Sequence, residues 1–238
     1  RTGAVIEALL VEEKSEGLWS AIVRKAGRIK NGEILEFCGG RLRAVAQQRL
    51  EEGEWLLSFE EAELLKERLE EFGLPPLPPY IERRQASALQ NAEDRQRYQT
   101  CFASEPGAIA APTAGLHFTP EILTEISLRG IDILEVTLHV GLGTFSSIEV
   151  EDIRQHKMHA EFFSVSTQTL EQLKKYRLNQ KKIICLGTTS VRVLETLAQQ
   201  KFQVSSGWTD IFIHAPYEFR MMAGLLTNFH LPKSTLML

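Results

Sequence analysis

The chain has 238 residues, 43% hydrophobic and 24% charged, with a formal net charge of −4. That composition suits one large or two smaller globular cores; it offers no apolar run of the roughly 18 residues a membrane span needs and no global positive field for nucleic acid. Cys38, Cys101 and Cys185 lack metal-ligand spacing and read as reduced, mostly structural thiols of a cytoplasmic protein.

The opening RTGAVIEALL is not organised as a signal peptide. The chain starts without Met and stops at STLML inside an apolar run, so it reads as a piece of a longer polypeptide. Five short strand-like runs follow one another: AVIEALLVEE, LWSAIVRK, EILEFCGG, RLRAVAQQ and EWLLSF. Their close spacing between turn residues predicts an antiparallel barrel or sandwich. SFEEAELLKERLEEFG then takes up helical period, with Ser58 as the expected N-cap and Gly73 as the stop. In LPPLPPYIERR, Pro75, Pro76, Pro78 and Pro79 forbid helix and interior strand, which makes this stretch a stiff connector. A domain boundary is expected there, with a smaller β-barrel-like domain over residues 1–74 and an α/β domain over 75–238.

Beyond the connector, NAEDRQRYQTCF is a predicted helix and GAIAAP a short buried strand. FTPEILTEISLRG is a helix with Thr119 as N-cap, Pro120 at its first position and Gly130 as terminator. DILEVTLHV reads as strand, QTLEQLKKYRLNQ as helix, KIICLG as strand and TTSVRVLETLAQQ as helix; WTDIFIH and AGLLTNFHL look strand-like or buried. The alternation predicts a layered α/β domain.

Residues 1–75 hold 11 basic and 15 acidic residues, whereas 76–238 hold 16 of each. A nucleic acid would therefore need a local patch. Arg24, Lys25, Arg28 and Lys30 form one candidate, and Lys174, Lys175, Arg177, Lys181 and Lys182 another, although such runs are ordinarily solvated faces.

The six histidines, 117, 139, 156, 159, 214 and 230, all lie in the second part. Ligand sites in α/β domains form where strands give way to helices. In KIICLGTTSVRVLE, Gly187 permits close backbone approach, and Thr188, Thr189 and Ser190 sit beside helix N–H groups suited to a carboxylate or phosphate. Arg192 either strengthens that grip or is an exposed helix residue. Plain N-capping explains the hydroxyls equally well. In APTAGLHFT, His117 projects from a connection that also carries Thr113 and Gly115; in VTLHVGLGTF, His139 precedes Gly141, Gly143 and Thr144. Imidazoles in such glycine-flanked loops are candidates for proton transfer. HKMHAEFF spaces His156 and His159 three apart before Glu161, so two imidazoles would share a helical face, a weak zinc signal without a further ligand. LLTNFHLPKST adds Asn228, His230 and Lys233. No P-loop or GxGxxG occurs.

Together, PLPPYI, DRQRYQT, APTAGLHFT, VTLHVGLGTF, HKMHAEFF, GTTSVRVLE and LLTNFHLPKSTL resemble, in this order, the S-adenosylmethionine:tRNA ribosyltransferase-isomerases. The resemblance runs from about residue 74 to the end, and the N-terminal strands are similar to that family's barrel, an insertion in its catalytic domain. It implies transfer and isomerisation of the ribosyl part of S-adenosylmethionine onto a 7-aminomethyl-7-deazaguanine of the tRNA anticodon. Epoxyqueuosine-tRNA, adenine and methionine would be the products. S-adenosylmethionine is then a consumed substrate, with no bound cofactor and no metal, and the enzyme is expected to be a cytoplasmic monomer. His117 and His139 would share the acid and base roles. Thr188, Thr189, Ser190 and Arg192 would hold the methionine carboxylate, Glu161 or Asp210 the ribose hydroxyls, and His230 and Lys233 the substrate or a tRNA phosphate. Two other readings compete: a metal-assisted hydrolase on His156, His159 and Glu161, and a non-catalytic RNA-binding module built on the barrel and the basic runs.

Overall fold

The computed structural model describes residues 5–24, 27, 29–50, 53–77, 81, 88–141, 150, 152–230 and 235. The chain divides into two compact units, Arg1–Ile81 and Glu82–Leu238.

In the first unit all five strand-like runs are strands: β1 (Glu7–Ser15), β2 (Leu18–Arg24), β3 (Glu33–Phe37), β4 (Leu42–Arg49) and β5 (Glu54–Phe59). They pair antiparallel in the order β1-β2-β5-β4-β3. Period-two alternation puts one face inside, and its packing is large against small. Trp55 lies opposite Ala21, Leu57 opposite Ala46 and Phe59 opposite Ala44, all of them buried. Among the described residues no pairing joins β1 to β3, so what is seen is an open five-stranded sheet rather than a closed barrel. Register shifts along β1 bend that edge.

Ser58 is a strand residue, opposite Leu18 and Val45, and not the helix N-cap expected for it. Burial of Phe59 carries the strand one residue further, and the chain enters the helix through a 3-10 turn at Ala62–Leu64. Helix α1 (Leu65–Phe72) sets Leu65 into the sheet core and ends where the Gly73 N–H bonds Leu69 O at 2.8 Å.

The second unit contains α2 (Ala88–Arg97), α3 (Pro120–Leu128), β6 (Thr137–His139), β7 (Glu161–Ser164), α4 (Thr167–Leu178), β8 (Ile184–Leu186), α5 (Thr188–Gln199), β9 (Ser206–Thr209) and β10 (Gly224–Leu226). The Thr119 hydroxyl caps α3 and that of Ser166 caps α4, each accepting from a backbone N–H one turn on. Helix α5 is central: every residue from Val191 to Ala198 is buried, which marks a helix enclosed on all sides. Its core partners include Phe163, Leu170, Leu173 and Cys185.

The architecture is mixed α/β, but the strands do not form one parallel layer. Strands β6, β7 and β9 make an antiparallel sheet, and β8 pairs with β10 in parallel. GAIAAP is not a strand. Ile109 and Ala110 are buried, but Gly107 at φ 141 and Pro112 bracket the segment, whose backbone bonds, from Ile109 N–H to Val140 O at 2.9 Å and from Gly115 N–H to Pro112 O at 2.8 Å, make no ladder among the described residues. Of DILEVTLHV only three residues pair. HKMH is irregular rather than helical, lying between a 3-10 turn at Ile153–Gln155 and β7. No helix among the described residues is long and apolar enough to cross a membrane.

Candidate functional site

The start of α5 gathers three segments distant in sequence. Gly187, at φ 82, is its N-cap and donates its N–H to Leu226 O at the end of β10, 2.8 Å away. A Cβ on Gly187 would lie 3.9 Å from that of Ala114, so the 3-10 turn Thr113–His117 passes alongside. That turn and the end of β10 are joined to each other through His117, whose Nε2 lies 2.9 Å from Asn228 Oδ1, two residues beyond β10.

The hydroxyls of this junction do not cap it. Helix α5 has no side-chain cap, and the Ser190 hydroxyl turns back to donate to Leu186 O at 2.8 Å. Thr188 is buried and Thr189 half-buried. Gly115 has a packing reason to be glycine, since a Cβ there would meet Thr100 Cγ2 at 3.1 Å. Thr113, which opens the turn, is half-buried.

A second constellation lies further along α5. Arg192 is inside the protein, 5% exposed, and its Nη1 donates to the carboxylate of Glu161, itself 2% exposed. The other Glu161 oxygen accepts the Gly141 N–H at 2.8 Å. Arg192 also reaches the carbonyls of Ile211 at 3.3 Å and Thr209 at 3.4 Å. The pair is thus a buried strut from helix to sheet, and Arg192 is not the exposed helix residue that was one expectation for it.

Beside the strut, His139 stacks on its cross-strand neighbour Phe162, with centroids 5.8 Å apart and an interplanar angle of 18°. Phe162 meets Trp208 edge-on at 5.7 Å, so a row of rings crosses β6, β7 and β9 and ends in an exposed indole. Nδ1 of His139 is buried and has no hydrogen-bond partner among the described residues. It faces Gly107, where a Cβ would lie 2.5 Å from it. Among the described residues no hydrogen bond links His117 to His139; each belongs to its own constellation on α5 and its neighbours.

Asp210 is exposed, one residue past β9. His230 is half-buried, and burial pushes its pKa below the ordinary 6.5. Gly143, Thr144 and Lys233 lie outside the described residues, as do Lys25 and Arg28 of the first basic run. His156 packs edge-on against Phe212 at 4.9 Å while His159 is exposed, and Glu161 is committed to Arg192 and Gly141. Among the described residues no three His, Cys, Asp or Glu side chains are grouped to hold a metal ion.

One group went unsuspected in the sequence. Glu195, fully buried, accepts the N–H groups of Arg220, Met221 and Met222 at 3.0, 3.0 and 3.4 Å and the Tyr217 hydroxyl at 3.2 Å. The available signal was a carboxylate within the apolar run of VRVLETLA, which has no place in a core without donors to meet it.

The chain is similar to a solved structure, the S-adenosylmethionine tRNA ribosyltransferase from Thermotoga maritima, at 32% identity and a TM-score of 0.40. The alignment covers 98% of this chain and 62% of that one, so the chain spans less than two thirds of that protein's length. The sequence also matches the family described as queuosine biosynthesis protein from residue 1 to residue 238. With a match along its whole length, the chain belongs to the queuosine biosynthesis protein family.

Proposed function

We propose that this chain transfers and isomerises the ribosyl moiety of S-adenosylmethionine onto the 7-aminomethyl-7-deazaguanine of a tRNA anticodon, releasing adenine and methionine. The observation that carries the reading is the whole-length family match. S-adenosylmethionine is consumed as substrate, tRNA is the acceptor, and the cytoplasm is where both are met.

Several features support a division of labour. The sulfonium acidifies its neighbouring 5′ carbon, and His117 takes that proton. Asn228 Oδ1 only accepts hydrogen bonds, so it favours the tautomer with the His117 proton on Nε2 and leaves the Nδ1 lone pair for the substrate. His139, on the ring row of β6 and β7, gives a proton to departing adenine. The methionine carboxylate sits at the start of α5 on the N–H groups of Thr188, Thr189 and Ser190, where no described side chain caps the helix. Asp210, being exposed, accepts from ribose hydroxyls, while Thr113, Gly115, Asn228 and His230 form the neighbouring wall. Glu161 and Arg192 act as positioning residues that hold the Gly141 backbone against α5.

The test is to incubate the protein with S-adenosylmethionine and an anticodon stem-loop carrying the aminomethyl-deazaguanine, and to follow adenine. Release that requires both substrates is expected. A folded protein that releases none with both present overturns the proposal.

A further inference from the structure

A solvent-open cavity of about 450 Å³ lies at the other end of α5, lined by Arg177, Lys201, Glu218, Phe219 and Arg220 among others. Its three cations come from three segments: the last turn of α4, the turn after α5, and the loop before β10. None of the three forms an ion pair among the described residues. A cation at the end of α4 is favoured by the helix dipole, which explains Arg177 alone. It does not explain Arg220, which is on a loop, or the backbone of Lys201.

The cavity is rigidly built. Lys201 and Phe202 both adopt left-handed backbone, φ 53 and 56, where glycine would be the unstrained choice. Phe202 plugs the core, its N–H bonded to Leu197 O at 2.8 Å, and the Arg177 guanidinium lies 5.5 Å from its ring centroid. At Arg220, buried Glu195 grips the backbone N–H groups of Arg220, Met221 and Met222. Phe219, 37% exposed, stands edge-on to Tyr217 at 5.0 Å.

From this arrangement we infer that the cavity docks the phosphodiester backbone of RNA, with phosphates on Arg177, Lys201 and Arg220 and an adjacent base against Phe219. The inference rests on the reading above, in which a tRNA is the acceptor. A chain of phosphates fits better than a compact phosphate compound. The cations come from three separate segments, no N-terminal residue of a described helix lines the cavity, and exposed Lys175, Lys181 and Lys182 add further positive charge around the end of α4. The twelve residues of α5 separate its two ends by roughly 18 Å. An RNA reacting at Gly187 therefore reaches the cavity with its own backbone, which a mononucleotide cannot do.

The test measures affinity for an anticodon stem-loop across a salt series, with the wild type and the triple variant Arg177→Gln/Lys201→Gln/Arg220→Gln. Loss of three phosphate contacts is expected to weaken binding and to flatten the slope of log K against log salt by roughly 0.7–0.9 per contact. S-adenosylmethionine binding in the absence of RNA should not change. A second variant separates folding from binding: Lys201→Gly relieves the left-handed strain, so it should melt no lower than wild type yet bind RNA several-fold more weakly. Equal affinity and slope in wild type and triple variant overturn the inference, as does a mononucleotide bound with the same dependence on these side chains. Adenine release by the same preparations reports separately on the ribosyl transfer. Release with unaltered RNA affinity in the variants sinks only the docking site, while weakened affinity without release in the wild type sinks only the reaction.

Discussion

Arg192 of α5 and Glu161 at the head of β7 form an ion pair almost wholly removed from solvent, one residue 5% and the other 2% exposed. The pair persists because neither charge relies on the other alone. Glu161 also accepts the Gly141 N–H, and Arg192 donates to two strand-end carbonyls. It fixes the segment that follows His139 relative to the helix whose start is the proposed carboxylate site.

Removing one partner leaves the other charge buried and uncompensated, so Glu161→Leu and Arg192→Leu should each destabilise the protein by about 3–5 kcal/mol. The double variant should lose clearly less than the sum, because no lone charge remains. Urea midpoints of the four proteins in the cycle measure the difference. Strict additivity would show that the two groups act independently.

The elements with strong local signals were legible in the sequence. The five strands of the first unit announce themselves by alternation, and α3 by Thr119, Pro120 and Gly130. What sequence could not show was partner choice. Ser58 has the chemistry of an N-cap but is claimed by two neighbouring strands. GAIAAP is apolar enough for a strand but pairs with no strand among the described residues. Whether the sheet closes depends on a pairing between β1 and β3, which local periodicity does not encode. At the site, the hydroxyl-rich first turn of α5 was visible; the bonds that give Arg192 to Glu161 and His117 to Asn228 span 31 and 111 residues and leave no local trace.

Gly107 packs directly against the His139 ring. Its φ of 141 disfavours any side chain, and a Cβ added there would come within 2.5 Å of the imidazole nitrogen. Gly107→Ala should leave the fold intact at a cost of about 1–2 kcal/mol, while moving the His139 ring off Phe162. Turnover should fall at least as much as in a mild His139 variant. Adding Gly107→Ala to His139→Ala should cost little further, since the clash has gone. A full additional loss in that background would mean that the glycine matters for its backbone alone.

The three thiols should differ in reactivity. Cys38 and Cys101 are exposed, whereas Cys185, in β8, is buried, and burial with the nearby Glu195 charge pushes its pKa up to about 12. The thiolate is the reactive form. Titration of the native protein with a thiol reagent at neutral pH should therefore label Cys38 and Cys101 promptly and Cys185 only after unfolding. Prompt native labelling of Cys185 would show that α5 opens readily above it.

His230 gives the protein a defined acid sensitivity. Burial lowers its pKa in the folded state below the ordinary 6.5, so between those two values the unfolded chain binds more protons than the folded one. Stability therefore rises with pH across that window. The contribution is complete above pH 6.5, declines as pH falls below it, and stops changing once pH has dropped below the folded pKa. His230→Gln removes the titration while keeping a polar side chain of similar reach. Thermal melts of both proteins from neutral pH downward should diverge below pH 6.5, with the wild type losing stability faster. Parallel melting curves across that range would mean that the imidazole stays hydrated and contributes nothing to the pH dependence.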